Sequence, residues 1–486
     1  MLLRAVAPFL MLAVAAFAGC LGAEPGDDDG DVLDDVATNL VPAETPLWDV
    51  RQYVPHPAYN FPTLTNPPTG PNVPEWWVPI NATPLPTPIA GLEHLAKSPD
   101  DVRRGGGMAV FGGLAVVPGY GNPTSVLDIR DPASPKLLST IDEDNHRNVD
   151  FIAYPDGRLV AIFATGRDGL LPYWDITDPA APVRLGALEP TTGTHKVNVV
   201  PGTPIVYNAN SDGGGTGPAG AVPVGHVPGQ GTGLTEIFDL SDPWNPVHVQ
   251  DWRNGYGCHH IYFWNDPAQE KYRAICAGIE VTQIWDTADP KNPANVVTIP
   301  VHHGVAGSPS ASVFLMAFSH FSILNDDGTV LIVGDEMGGG GVPPGCGVGA
   351  SAAGRSPSTP AGALWFYDVS DEKNPRLRGW FSPGAPYASN PPPVSPNPAN
   401  PVGSVVNSAF FSCTAHHGRL VPDESRDLLA MAFYYAGVVL VDFTDPASPR
   451  MVSQFNQGTD TWEVQYYNGY LFTGDLRRGM DVLKFK

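Results

Sequence analysis

VLDIRDPASP, residues 126–135, recurs as YWDITDPAAP (173–182), IFDLSDPWNP (237–246), IWDTADPKNP (284–293), FYDVSDEKNP (366–375) and LVDFTDPASP (440–449). The shared form is apolar-apolar-Asp-x-x-Asp-Pro-x-x-Pro, altered only where Glu372 replaces the first proline. Each copy ends one β-branched or aromatic run and precedes another, such as Lys136 to Ile141 or Val183 to Leu188. Upstream of each lies a two-strand hairpin whose turn contains Pro155-Asp-Gly, Pro201-Gly, Asp326-Asp-Gly or a similar signal. The repeating unit is therefore four antiparallel strands, the size of one propeller blade. The aspartates have a structural use at these corners, since Asp accepts backbone N–H groups two residues on and caps the chain beside a proline.

Outward from the repeats, the last stretch, Trp462 to Phe485, supplies three strands and stops. Six units and three strands predict an all-β, seven-bladed β-propeller of four-stranded antiparallel blades over residues 101–486. An N-terminal segment then supplies the missing outer strand, and Glu75-Trp-Trp-Val-Pro-Ile (about 75–81) is the candidate. Closing the ring in this way removes an exposed sheet edge. The repeat resembles the LVIVD family, β-propeller repeats of bacterial and archaeal surface proteins, and the likeness runs from about Val102 to Lys486. It implies the fold and a surface location, and no particular activity.

Composition agrees with this class. The chain holds 53 Gly and 53 Pro among 486 residues, too many for a mostly helical protein. Its formal charge of −23 would repel phosphate backbones, which excludes nucleic acid as a partner class. At the N-terminus, Arg4, an apolar run from Ala5 to Ala18, and Ala18-Gly19-Cys20 read as a secretory signal over 1–19. Its ending resembles the lipobox of prokaryotic lipoproteins, with Phe17 in place of the usual Leu, which implies lipidation at Cys20 and a membrane anchor. Residues 20–100 read as a tether extending from that anchor, its proline-rich part stiff, extended and able to lie along the domain wall. It is acidic at first and then proline-rich, with 14 prolines between Pro42 and Pro99. The expected location is the outer face of the cell membrane or the periplasm. Cys258, Cys276, Cys346 and Cys413 are an even set in an exported chain. Three pairings are possible, and the hairpin between Cys258 and Cys276 favours that pair, leaving Cys346 with Cys413.

Two features point to function. In a four-stranded blade, connections alternate between the faces of the disc. The long insertions Asn210–Gly233, His302–Ser312, Gly338–Gly362 and Pro383–Ser408 all fall on the face carrying the second-to-third loops and the inter-blade links. Such one-sidedness is the mark of a binding face. It predicts a monomeric interaction or adhesion module for an extracellular protein, glycan or small ligand.

The second feature is a slot six residues before each inner turn, occupied by Gly106, Asp150, His195, His260, His320, His417 and Trp462. Four of seven are His in a chain with 13 His, and His146, His259 and His416 lie close by. Imidazoles converging on an axis hold Cu, Zn or Fe. This makes His195, His260, His320 and His417 candidate metal ligands, with His146, Asp150, His259 and His416 as further ones. Asp168, Glu280, Asp335, Glu336 and Asp475 are the carboxylates expected around them at the channel mouth. The alternative chemistry is a metal-dependent oxidoreductase, and the plain alternative is that the histidines bond neighbouring backbone and pack between blades. No nucleophile elbow, phosphate loop or dinucleotide fingerprint is present.

Overall fold

The computed structural model describes residues 51–67, 73–77, 85–102, 105–119, 121–143, 146–165, 169–210, 234–278, 281–300, 319–336, 362–383 and 414–486. Cys20, Asp168, Glu280, Cys346 and Cys413 lie outside them, as does most of each long insertion. One compact unit spans Pro46–Lys486. Within it are seven four-stranded antiparallel sheets, six built from consecutive strands and the seventh from the last three strands and the first.

The first strand of each sheet lies innermost. These strands are Ala109–Phe111, Asn148–Ala153, Lys196–Val199, His260–Asp266, Ser319–Leu324, Gly418–Val421 and Thr461–Tyr467, and neighbouring ones contact one another across the blades. Burial falls from axis to rim: His260–Asp266 is buried at every position, whereas the outer strand Val183–Leu188 begins with two exposed residues. Between blades, Tyr207, Phe263 and Trp285 fill the gap, with ring centroids 5.6 and 6.5 Å from Tyr207.

The Asp-Pro phrase performs the same turn in all six copies. Asp128 and Asp131 accept the N–H groups of Arg130 and Ala133 at 2.9 and 3.1 Å. Asp239 and Asp242 repeat this with Ser241 and Trp244 at 2.8 and 3.0 Å. Asp442 and Asp445 do so with Thr444 and Ala447 at 3.1 and 3.0 Å. Just before each phrase's first aspartate, the pairing of third and fourth strands slips, as between Val126 and Leu127 or Leu440 and Val441. A bulge there bends the chain into the corner. A disulfide joins Cys258 and Cys276, with Cα atoms 5.4 Å apart.

One expectation is corrected. The strand that closes the ring is Leu92–Lys97, paired antiparallel with Gly479–Phe485 from Leu92↔Phe485 to Lys97↔Asp481. The Glu75–Ile80 stretch does not serve: Pro74 and Pro79 remove backbone donors that a ladder needs. Trp76 and Trp77 are buried instead, Trp77 edge-on to Phe111 at 4.8 Å and Trp76 donating from Nε1 to the Thr177 carbonyl at 2.9 Å. The described residues between 51 and 100 lie along the domain. Residues 51–66 form a strap over the disc face that carries the short turns. The His56 amide donates to Pro201 O at 3.0 Å, and Asn265 Nδ2 donates to Val54 O at 2.9 Å. The opposite face is where the chain leaves and re-enters at segments 211–233, 301–318, 337–361 and 384–413.

Candidate metal centre

Histidines open the inner strands of blades three to six at the face of the long segments. In blades four and six the slot holds a pair, His259-His260 and His416-His417, and the alternation of a strand turns the two rings of each pair to different sides. Two layers result. An arc runs His195–His259–His320–His416 with successive ring centroids 3.9, 4.0 and 4.2 Å apart. Behind it, His260 and His417 face each other at 4.7 Å, and His417 also lies 4.6 Å from His320 and 4.3 Å from His416. All six imidazoles are buried. The four slot residues are therefore not one ring, and His259 and His416, read as secondary, belong to the centre of the arrangement.

Two groups of potential ligand atoms converge, each with one atom per residue and all within 4.8 Å of one another: His320, His416 and His417, and His259, His320 and Glu336. Two backbone carbonyls fix the tautomers. His320 Nδ1 lies 3.1 Å from His416 O, and His416 Nδ1 lies 2.5 Å from Trp462 O. A carbonyl oxygen only accepts, so both Nδ1 atoms carry the proton and both Nε2 atoms present lone pairs. These point toward Glu336, whose oxygens lie 3.4 Å from His320 Nε2 and 3.6 Å from His416 Nε2. A ligating imidazole that donates its other N–H to a carbonyl is the usual outer-shell arrangement of a metal site. His417 is fully buried with neither ring nitrogen hydrogen-bonded among the described residues, and His260 Nδ1 is likewise without a hydrogen-bond partner.

Burial pushes His259, His260, His320, His416 and His417 well below the usual imidazole pKa, with neighbouring cationic groups adding to it. They are neutral at pH 7, as ligands must be. Burial pushes Glu336 the other way, up to about 7, partly opposed by the hydrogen bond from the Tyr434 hydroxyl. Tyr434 Oη in turn accepts from Trp462 Nε1 at 3.0 Å, and Trp462 stacks on His416 at 4.9 Å. A short polar chain thus runs from the indole through the phenol to the carboxylate.

The other expected residues have different employment. His146 stacks on Phe163 at 4.1 Å in blade two and pairs with Thr124 Oγ1 at 2.8 Å. The Asp150 carboxylate accepts the amides of Val199 and Phe151 at 2.7 and 2.8 Å, fastening blade two to blade three. Asp475 accepts the amides of Asp460, Arg477 and Arg478 and shapes its hairpin. Asp335 accepts from the Gly362 amide at 3.3 Å. Of the expected carboxylates that are described, Glu336 alone meets the histidines. Sequence reasoning missed Tyr434 and the buried charges Lys196, Arg419 and Glu463. The last three had a signal, a charged side chain one or two places after the slot on an innermost strand.

No protein-family model and no curated protein matches the sequence. Among solved structures, the chain is similar to RRP9 WD40 repeats, with a TM-score of 0.44 and 9% identity, over 82% of this chain and 94% of that one. The seven sheets themselves define the class: the protein is a seven-bladed β-propeller.

Removing the Tyr434 hydroxyl takes one hydrogen bond each from Glu336 and the Trp462 N–H. Tyr434→Phe is expected to lower unfolding free energy by about 1–3 kcal/mol in chemical denaturation of the metal-free protein. An unchanged midpoint and slope would remove the chain from the account.

Proposed function

We propose that the protein is a metal-binding propeller whose function resides in a transition-metal centre of Cu, Zn or Fe at the channel mouth. One observation carries this reading: three buried neutral imidazoles, His320, His416 and His417, converge, and His417 has no hydrogen bond for either nitrogen among the described residues. Leaving buried polar atoms unpaired is costly, and a metal ion relieves that cost. Imidazole suits Zn, Cu and Fe, and metal–nitrogen bonds near 2 Å would draw separations of up to 4.8 Å inward by about 1 Å. In such a centre His320, His416 and His417 are the ligands. Glu336 is a fourth ligand or a proton acceptor beside an open position, and His259 and His195 flank it. The metal supplies Lewis acidity or redox change when bound. The chain's residues hold the imidazoles in one tautomer, keep them neutral and store a proton on Glu336.

A second reading is an adhesion or interaction module anchored through Cys20 at the cell surface. The departure of four long segments from the histidine-bearing face supports it, as does the likeness of the Asp-Pro repeats to LVIVD proteins. The two readings are compatible, because a metal at that mouth lies beneath any partner seated there.

Purified protein stripped with chelator and reloaded separately with Zn(II), Cu(II) or Fe(II) is expected to retain one ion per chain by elemental analysis. His417→Ala and His320→Ala should each lose most of it while remaining folded by circular dichroism. Equal retention in wild type and both variants would sink the proposal. The pH dependence has a definite sign. At pH 6 Glu336 is largely protonated and must yield its proton to ligate, whereas the imidazoles have none to yield. Metal uptake should release about one proton per ion at pH 6 and almost none at pH 8. Calorimetry in buffers of differing ionisation enthalpy measures this, and release that persists in Glu336→Gln would assign the proton elsewhere.

A further inference from the structure

Behind the histidines, the channel holds a cavity of about 140 Å³. The innermost strands of every blade but the fifth line it, which places it on the propeller axis, and the N-terminal strap contributes Tyr53 and Leu64. His260 borders it and lies 4.7 Å from His417, so the chamber is one side chain away from the histidine cluster.

Three charged side chains line the chamber, Asp150, Glu463 and Arg419, which leaves one acid in excess. Glu463 is already answered. Arg419 Nη1 lies 3.6 Å from one of its oxygens, and Lys196 Nζ, which is not part of the lining, lies 3.7 Å from the other. Lys196 in turn feels Glu336 as well as Glu463. Arg419 is also committed: it stacks 4.9 Å over the Tyr262 ring, donates to the Tyr262 hydroxyl and donates to Gly418 O at 2.9 Å. Asp150 is the exception. It accepts the amides of Val199 and Phe151 at 2.7 and 2.8 Å and makes no ion pair among the described residues. Burial pushes its carboxyl up to about 6, against the pull of those amides and of the more distant Arg419 and Lys196. Each of its oxygens keeps a lone pair for a further partner. A carboxylate taken out of water without a counter-charge is costly, and a cation in the chamber relieves that cost.

The rest of the wall says which kind of cation. Tyr53, Phe111, Phe151, Tyr262 and Phe263 border the same space. Aromatic faces attract a cation that has shed its water, and cages of such rings are suited to quaternary ammonium groups. A bare inorganic ion would need a shell of several oxygens, whereas an ammonium whose charge is spread over methyl groups needs contact rather than ligation. We propose that this axial chamber binds a small methylated ammonium, its charge set against Asp150 and its methyl groups against the aromatic wall. The volume is close to that of an engineered cavity that admits benzene, which limits the ligand to about six non-hydrogen atoms. The inference does not depend on a metal, and its test is made without one.

The probe is tetramethylammonium, compared with tert-butanol as an uncharged molecule of similar shape. Both are added to wild-type protein freed of metal by chelation, at pH 8, where Asp150 is ionised, and at constant ionic strength. Tetramethylammonium is expected to raise the melting temperature in a saturable way, with sodium chloride and tert-butanol lacking that effect. Asp150→Asn, which keeps the side chain's shape, should weaken tetramethylammonium binding by about tenfold or more. Phe151→Leu, which keeps the carboxylate, should weaken it by about threefold. The wild-type comparison decides the matter even if either variant fails to fold. If tert-butanol or sodium matches tetramethylammonium, if tetramethylammonium has no effect, or if folded Asp150→Asn binds it equally well, the proposal is overturned. Failure to bind metal together with a positive tetramethylammonium result would sink the metal reading alone.

Discussion

The antiparallel pairing of Leu92–Lys97 with Gly479–Phe485 is the constraint on which everything else rests. It joins the N-terminal end of the propeller to the last three strands in one sheet, and so turns a row of seven sheets into a ring. Closure forces the first strand of every blade to the axis. Residues at one position in successive repeats, 44 to 97 apart in sequence, then become neighbours. Without closure, the histidines of blades three to six would fan out along an open array, and the Lys196–Glu463–Arg419 triad, which joins blades three, seven and six, would not form.

The second consequence of closure is burial. Strands such as Ser319–Leu324 are covered on every side, so a polar side chain on them must be paired, neutralised or ligated. The protein uses the first two of these devices. Asp150 is paired with amides, the imidazoles are held neutral and Glu336 is pushed toward its protonated form. A cluster of six buried histidines, in which His260 and His417 have nitrogens without a hydrogen bond among the described residues, is expensive as packing material. The aliphatic side chains that fill the spaces between blades elsewhere, such as Ile237 and Ile275, would pack at no such cost. That contrast is what the proposed ligation would explain and inter-blade packing would not.

How much could be read beforehand divides along physical lines. The Asp-x-x-Asp-Pro phrase revealed the blades because the corner imposes a local chemistry, two aspartates each accepting an amide two residues on, and local chemistry leaves a local pattern. The histidine slot was legible for a related reason, since equal register along the inner strand gives equal depth along the axis. The closing strand was not. Leu-Glu-His-Leu-Ala-Lys carries only one strongly apolar face with charges between, whereas the Trp76-Trp77 pair looked more like a strand and instead plugs the gap beside Phe111. Glu336 could not be separated from Asp335 because alternation sends adjacent side chains to opposite sides, and only the fold says which side faces the histidines. Tyr434 and the strap were invisible for a simpler reason: both act through contacts between segments far apart in the chain, Tyr53 with Arg419 being one.

X-ray absorption at the metal edge of the reloaded protein tests the central claim most directly, because it reads the ligand shell itself. The account predicts at least three nitrogen scatterers near 2 Å with the outer-shell features of imidazole rings. A shell of oxygens lacking those features would contradict it, and would return the histidine cluster to the role of packing between blades.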